Sequence, residues 1–383
     1  MSFEFDENNG FHQILKDMRM ILDDDMSESS LANFYFLERQ QYSLFILPIV
    51  TRQCNFRCVY CYEKFSNNKM SKETYDNLLS ATEDLIDKKG YKILHISYFG
   101  GEPLLEYKEI CEFSEKLSKL TAQKNIDFIC GMTTNGYLLT KDRLHNLVKQ
   151  NVKEYQITVD GLKQTHDNSR FLVNKSGTWD VIMKNLLDAK DSDLDFKILI
   201  RTNFDNEVKE KTHEYLEFMS KHFKDDPRFG FHFEGVKKLG GDDDNELDIV
   251  ESEAAGINIM TATAKSLGLN VSGAETFVRP FGLVCYASKN DSFAIDTDGT
   301  VMKCTVHLDS PKNKIGSISN GKFQIKDHMM SEWTSCSLPE KCESCKILSI
   351  CYNKKCPAAR YPLNPCDKFI EIYEETLKAF YLS

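Results

Sequence analysis

The sequence predicts an α/β protein: six strand–helix units in a row, then a smaller cysteine-rich region. Three observations lead there. Short apolar runs alternate with amphipathic helical patterns from residue 44 to 235, which calls for a parallel sheet joined by right-handed crossovers. Several of the runs end in polar, glycine-bearing segments, the signature of tight strand-to-helix turns. The thiols are segregated: of 13 cysteines, three lie at 54–61 and eight after residue 284.

Taken in order, residues 1–43 form an N-terminal extension in which Phe11, Ile14, Leu15, Met18, Ile21 and Leu22 recur at helical spacing. They predict one amphipathic helix covering one end of the α/β unit. Strands are expected at 44–50, 93–99, 127–133, 154–159, 196–202 and 229–234, with helices at 74–89, 107–121, 141–150, 179–190 and 207–223. Ser71 caps the first helix and Gly90 ends it, while Leu78, Leu79, Thr82, Leu85 and Ile86 supply its buried stripe. Cys111 and Cys130 fall within helix and strand patterns and read as small core residues. The run Phe229 to Glu234 alternates with period two, placing His232 and Glu234 on one face; no catalytic role is assigned to either. Residues 236–284 open with Gly240-Gly241-Asp242-Asp243-Asp244 and read as a linking region with a helix over 251–266. Residues 285–370 form the cysteine-rich region, and 371–383 a closing helix.

Composition excludes several classes of function. A hydrophobic share of 41% with 28% charged residues suits a globular chain with a sizeable core. A net charge of −10 argues against a phosphate-backbone partner, so no nucleic acid is expected. No apolar stretch is long enough to span a membrane, and residues 1–9 lack the basic and apolar regions of a signal peptide. The expected location is cytoplasmic, where 13 cysteines are not disulfides.

The chemistry centres on Cys54-Asn55-Phe56-Arg57-Cys58-Val59-Tyr60-Cys61. A helix cannot turn thiols at these spacings to one point, so the segment must be a loop wrapped around something. Three thiolates with no fourth nearby suit a cubane iron–sulfur cluster that keeps one iron open. Zinc would call for a second Cys/Cys or Cys/His pair to close a tetrahedron, and ordinary buried thiols would need no such spacing.

Cys54-x3-Cys58-x2-Cys61, with Tyr60 before the third cysteine, resembles the signature of radical S-adenosylmethionine (SAM) enzymes. The resemblance implies a partial (β/α)6 TIM-like barrel over 44–235, with its chemistry at the carboxyl ends of the strands. It also implies a 4Fe–4S cluster on Cys54, Cys58 and Cys61 whose open iron takes the methionine moiety, giving a 5′-deoxyadenosyl radical that abstracts hydrogen from substrate. Gly100-Gly101-Glu102-Pro103 is similar to the family element that contacts the methionine amino group. Tyr60, Asn135, Thr158, Asp160 and Arg201 are carried over as further cofactor contacts. His166, Asp167 and Arg170 follow a pattern of the same subfamily, and capping and salt-bridging of a loop is the preferred reading of them.

Downstream, Cys285, thirteen residues, Gly299, four residues and Cys304 precede Cys342-x2-Cys345-x5-Cys351-x4-Cys356 and Cys366. Asp296-Thr297-Asp298-Gly299 reads as a hairpin turn. So many thiols among tight turns call for metal, and zinc ribbons are the competing reading. The order resembles the SPASM domain of peptide-modifying radical enzymes, which holds two auxiliary 4Fe–4S clusters. By that resemblance Cys285, Cys304 and Cys356 bind the first, and Cys342, Cys345, Cys351 and Cys366 the second. The family has three residues between the last two cysteines of the run where this chain has four, which bears on Cys356. No cysteine stands just upstream of Cys285 to complete the first cluster, and Cys336 is the spare candidate.

The implied activity is maturation of a ribosomally made precursor peptide, by a thioether or carbon–carbon cross-link, with a flavodoxin- or ferredoxin-type electron donor. The alternative within the family is formylglycine formation in sulfatases. There an aspartate follows the second domain cysteine, and here that residue is Thr305. From another class, a non-catalytic iron–sulfur or zinc scaffold would need no cofactor cavity.

Overall fold

The computed structural model describes residues 42–271 and 284–334, together with 340–342, 345, 347–351, 357, 370 and 374. The helix expected within 1–41, the closing helix, and Cys336, Cys356 and Cys366 lie outside the described residues.

Six parallel strands follow one another in chain order: β1 Ser43–Thr51, β2 Ile93–Gly100, β3 Asp127–Thr134, β4 Val152–Thr158, β5 Lys197–Phe204 and β6 Phe229–Gly235. The crossovers are α1 Lys72–Lys89, α2 Tyr107–Lys124, α3 Lys141–Lys149, α4 Lys163–Ser169, α5 Trp179–Lys190, α6 Asn206–Glu210 and α7 Thr212–Phe223. The sheet does not close on itself, so it is a partial barrel. No described helix is long and apolar enough to cross a membrane.

Local sequence explains the elements. In α1, Ser71 Oγ accepts from Thr74 N at 3.0 Å, and Gly90, at φ 70°, closes the last turn through its N–H to Ile86 O at 2.8 Å. Its Tyr75, Leu78, Ala81 and Ile86 are buried, each large apolar side chain contributing about 1.5–3 kcal/mol. Along β2, Leu94, Ile96 and Tyr98 are buried, whereas His95, Ser97 and Phe99 on the opposite face are only half-buried. β6 repeats the pattern: Phe229, Phe231 and Phe233 are buried and His232 and Glu234 are half-buried.

Two helices depart from the expected pattern. The helix expected at 207–223 is two, broken at Lys211; Asp205 caps the first, its Oδ1 accepting from Val208 N at 2.8 Å. Helix α4 was not expected, because its Lys-Gln-Thr-His-Asp-Asn-Ser sequence has no apolar period; buried Thr165 and His166 hold it by tertiary contact.

The cysteine-rich region does not stand apart. After α8 (Glu253–Ser266), strand β7 Ser292–Ile295 pairs parallel with the free edge of β1. β8 Thr300–Met302, β9 Lys314–Ser319 and β10 Lys322–Ile325 continue antiparallel, so ten strands make one sheet in the order β10-β9-β8-β7-β1-β2-β3-β4-β5-β6. Gly299, at φ 84°, turns the β7–β8 hairpin as its sequence requires. Helix α9 (Asp327–Thr334) follows, with Trp333 buried and its indole N–H donating to Lys312 O at 3.0 Å.

A candidate cofactor and substrate cavity at the barrel mouth

The loop after β1 sits at the carboxyl ends of the parallel strands, where side chains from successive strands can meet. It is pinned on both sides. Arg57 N–H donates to Phe171 O at 2.8 Å, Val59 N–H to Ser169 O at 3.0 Å, and Gly101 and Glu102 N–H to Thr51 O and Gln53 O at 3.1 and 2.8 Å. The two glycines are there for close approach. A Cβ on Gly100 would stand 2.2 Å from Thr51 O, and one on Gly101 2.2 Å from Gln53 O.

Cys54, Cys58 and Cys61 line one wall of a cavity of about 460 Å³, and none is in a disulfide. Gly100, Gly101, Asn135, Gln156, Thr158, Arg201, Asn203 and Glu234 bring the ends of β2 to β6 to its other walls. Burial, reinforced by Cys58, pushes the Cys61 thiol up to about 12, and burial raises Cys54 and Cys58 as well. Half-buried thiols raised in this way need a cationic metal to be held as thiolates. Cys54 Sγ already accepts from Phe56 N at 3.4 Å, a contact that suits a ligating sulfur. Among the described residues no three His, Cys, Asp or Glu side chains gather as ligands of a single ion. Three cysteine thiols lining one cavity are the donor chemistry of an iron–sulfur cluster.

The other carried-over residues divide into two groups. Asn135, Thr158 and Arg201 face the cavity, where Asn135 Nδ2 donates to Asn55 Oδ1 at 2.8 Å and Arg201 Nε to Asn203 Oδ1 at 2.8 Å. Glu102 does not line it. Its fully buried carboxylate accepts from Leu104 N, Thr134 Oγ1 and Asn135 N at 2.9, 2.6 and 2.7 Å, so the side chain ties the end of β3 to the turn after β2.

Tyr60 and Asp160 are bound to each other, the phenol donating to Asp160 Oδ2. Arg170 Nη1 and Asn203 Nδ2 donate to the same phenol oxygen at 2.7 and 3.1 Å, and Asn203 N–H donates to Asp160 Oδ1 at 2.8 Å. Burial raises both Asp160 and Tyr60, Arg170 opposing it in each. Asp160 N–H donates to His166 Nδ1 at 3.1 Å, and burial keeps that imidazole far below its ordinary value, hence neutral. Asp167 accepts from Thr178 N and Trp179 N at 2.7 and 2.9 Å at the start of α5. His166, Asp167 and Arg170 thus form a scaffold behind the cysteine loop. On β6, burial would raise Glu234, but His232, Lys237 and Arg201 hold it well below the usual carboxylate range.

Three features had no signal in the sequence. Arg52, just before the cysteine loop, is paired with Asp296 of the β7–β8 hairpin, Nε to Oδ1 at 3.0 Å and Nη2 to Oδ2 at 2.6 Å. Thr305 and Val306, next to Cys304, line the same cavity as the three cysteines. The acidic linking region folds back over the loop: Leu239 lines the cavity, and a Cβ on Gly241 would stand 2.6 Å from Cys61 O. Around Cys304 the backbone is fixed by Asn313, whose Oδ1 accepts from Lys303 N and Cys304 N at 3.0 and 2.9 Å. Cys342 and Cys345 share a turn, Cys345 N–H donating to Cys342 O at 3.2 Å, and Cys351 ends a short helix.

This arrangement has known counterparts. Residues 48–219 match the family described as the Radical SAM superfamily. The chain carries a radical SAM domain. Members of that family bind a 4Fe–4S cluster and S-adenosylmethionine, and the relatives named here are enzymes. The chain is 27% identical over 190 residues to a cysteine-type anaerobic sulfatase-maturating enzyme of Clostridium novyi, spanning 48% of each chain. It therefore aligns with about half the length of that curated relative. In structure the radical SAM domain and its extension resemble native anSMEcpe with bound AdoMet and Cp18Cys peptide, with TM-score 0.65, 15% identity, and 89% and 97% of the two chains covered. Streptococcus suis SuiB bound to precursor peptide SuiA gives 0.55 and 15%, with 93% and 82% covered. At these identities the likeness establishes the fold.

Proposed function

We propose that the protein is a radical SAM peptide maturase that forms a thioether or carbon–carbon cross-link in a ribosomally made precursor. The observation that carries this reading is the shared cavity: Cys54, Cys58 and Cys61 line it together with Thr305 and Val306, which adjoin Cys304. A reaction begun at the cysteine loop thus lies beside the cysteine-rich region. Two proteins of similar fold are described with bound peptides, which supports a peptide substrate.

In this reading Cys54, Cys58 and Cys61 hold the 4Fe–4S cluster, and Gly100, Gly101, Asn135, Thr158 and Arg201 hold S-adenosylmethionine. Bound there, the pair supplies a carbon-centred radical able to abstract an unactivated hydrogen. The chain's own work is positioning. Tyr60, Asp160 and Arg170 brace the loop, Glu102 fixes the Gly-Gly turn, and the linking region closes over Cys61 to limit access of water. Cys285, Cys304 and Cys356, and Cys342, Cys345, Cys351 and Cys366, hold two auxiliary clusters. Clusters held there would supply an electron acceptor, or a site for a substrate thiolate, beside Thr305 and Val306. A flavodoxin or ferredoxin supplies the reducing electron, and the cytoplasm is the setting.

Formylglycine formation is the second reading, favoured by the curated sulfatase-maturating relative. Thr305, which cannot act as the carboxylate base of that group, stands against it. Mass spectrometry of a neighbouring precursor co-expressed with the enzyme separates the two. Loss of two hydrogens supports cross-linking; loss of a cysteine's sulfur with gain of a carbonyl supports formylglycine, and an unchanged precursor counts against both.

A further inference from the structure

The cavity has a side branch. A second cavity of about 170 Å³ shares Tyr62, Glu63, Leu239 and Val306 with the larger one, and its far wall is His307, Leu308, Asp309 and Ser310. Glu63 stands at the junction. Its Oε2 is closed off from solvent and meets no hydrogen-bond partner among the described residues. A buried carboxylate oxygen left unpaired is costly and calls for a donor from elsewhere.

The chain's own cations leave that oxygen unmet: Lys64, which also lines the branch, is exposed and does not reach it, and the others nearby are engaged. The Arg52 guanidinium, which lies within electrostatic range of Glu63, is held by both oxygens of Asp296. Arg170 donates to Tyr60, and Lys237 bridges Glu234 and Glu253. Asp296 and Asp309 add negative charge around Glu63. Three carboxylates therefore face one arginine. At Glu63 itself carboxylates outnumber the cations that act on it, so its unmet oxygen favours a cationic donor over an acidic group.

We propose that Glu63 is the substrate-recognition residue for a lysine or arginine side chain carried by the peptide beside its reacting residue. The reacting residue occupies the main cavity next to the cysteine loop, and the basic side chain enters the branch and completes Glu63 Oε2. This inference rests on the peptide-maturase reading.

The test is selection of a random mRNA-displayed peptide library on the anaerobically reconstituted, S-adenosylmethionine-loaded full chain. The wild-type protein should enrich Lys or Arg at one position relative to the reacting residue. Glu63→Asp should keep that preference, and Glu63→Gln should lose about tenfold or more of it, the scale of a charge-assisted hydrogen bond. Iron content and melting temperature confirm that each variant is folded. Undiminished basic preference with Glu63→Gln overturns the proposal and leaves the peptide reading standing. So does wild-type enrichment of sequences with no basic position, which decides the matter even if Glu63→Gln fails to fold. Enrichment of no sequence by any of the three overturns the peptide reading, and the proposal with it.

Discussion

Breaking the Arg52–Asp296 pair should show how the cysteine loop is fastened to the hairpin of the cysteine-rich region. The two side chains are 8% and 14% exposed and meet through two hydrogen bonds, so the pair is largely desolvated. Removing one partner of such a pair costs about 3–5 kcal/mol, because a buried charge is left uncompensated. The two removals are not equivalent here. Arg52→Met leaves Asp296 and Glu63 facing each other, with Asp309 close by and no cation between them. That variant should lose the full amount. Asp296→Asn leaves an arginine that the unpaired Glu63 carboxylate can approach, so its loss should be smaller, about 1–3 kcal/mol. The double variant should fall short of the sum by more than about 1 kcal/mol. The assay is a double-mutant cycle by anaerobic denaturant unfolding, with iron counted in parallel because Arg52 adjoins the loop. Additivity within about 0.5 kcal/mol, or equal losses for the two single variants, would refute the reasoning.

Further outcomes follow from the same geometry. Gly101→Ala should displace the loop, since its Cβ would stand 2.2 Å from Gln53 O; reconstituted protein should then bind less iron than wild type while keeping its circular dichroism. Tyr60→Phe removes the oxygen that Arg170 and Asn203 share, and should cost about 1–3 kcal/mol of stability together with a lower rate of deoxyadenosine release. His95 tests pH dependence away from the cysteines. Burial, aided by Lys289, lowers its imidazole to about 4 from an ordinary 6.5. The unfolded chain therefore binds the extra proton between these values, and stability is lost as pH falls through 6.5 toward 4, by about 3 kcal/mol at most. His95→Gln should flatten the fall in unfolding free energy between neutral pH and pH 5; an identical pH profile would count against the assignment.

The parallel half of the fold was legible because its signals are local. Ser71, Gly90 and the apolar alternation of β2 and β6 each act within a few residues. The cysteine loop was legible for the same reason, its three thiols lying within eight residues. What could not be read was long-range. Nothing in Ser292 to Ile295 says that it will extend the edge of β1, and Arg52 meets Asp296 across a separation of 244 residues. Glu102 shows how a motif can be seen while the work of its side chain is not. Resemblance put its element among the cofactor contacts through the backbone; the carboxylate is separately taken up by Leu104, Thr134 and Asn135. Glu63 carried no signal, because an unpaired carboxylate is defined by what surrounds it.

The central claim is that Cys54, Cys58 and Cys61 hold a cluster with one iron open to S-adenosylmethionine. Electron spin resonance of the reduced, anaerobically reconstituted protein, recorded before and after adding S-adenosylmethionine, tests it most directly. The account predicts a 4Fe–4S signal that changes shape on addition, and loss of that response with about four irons per chain when all three cysteines are replaced by alanine. A signal indifferent to S-adenosylmethionine, or a response that survives the triple replacement, would contradict it.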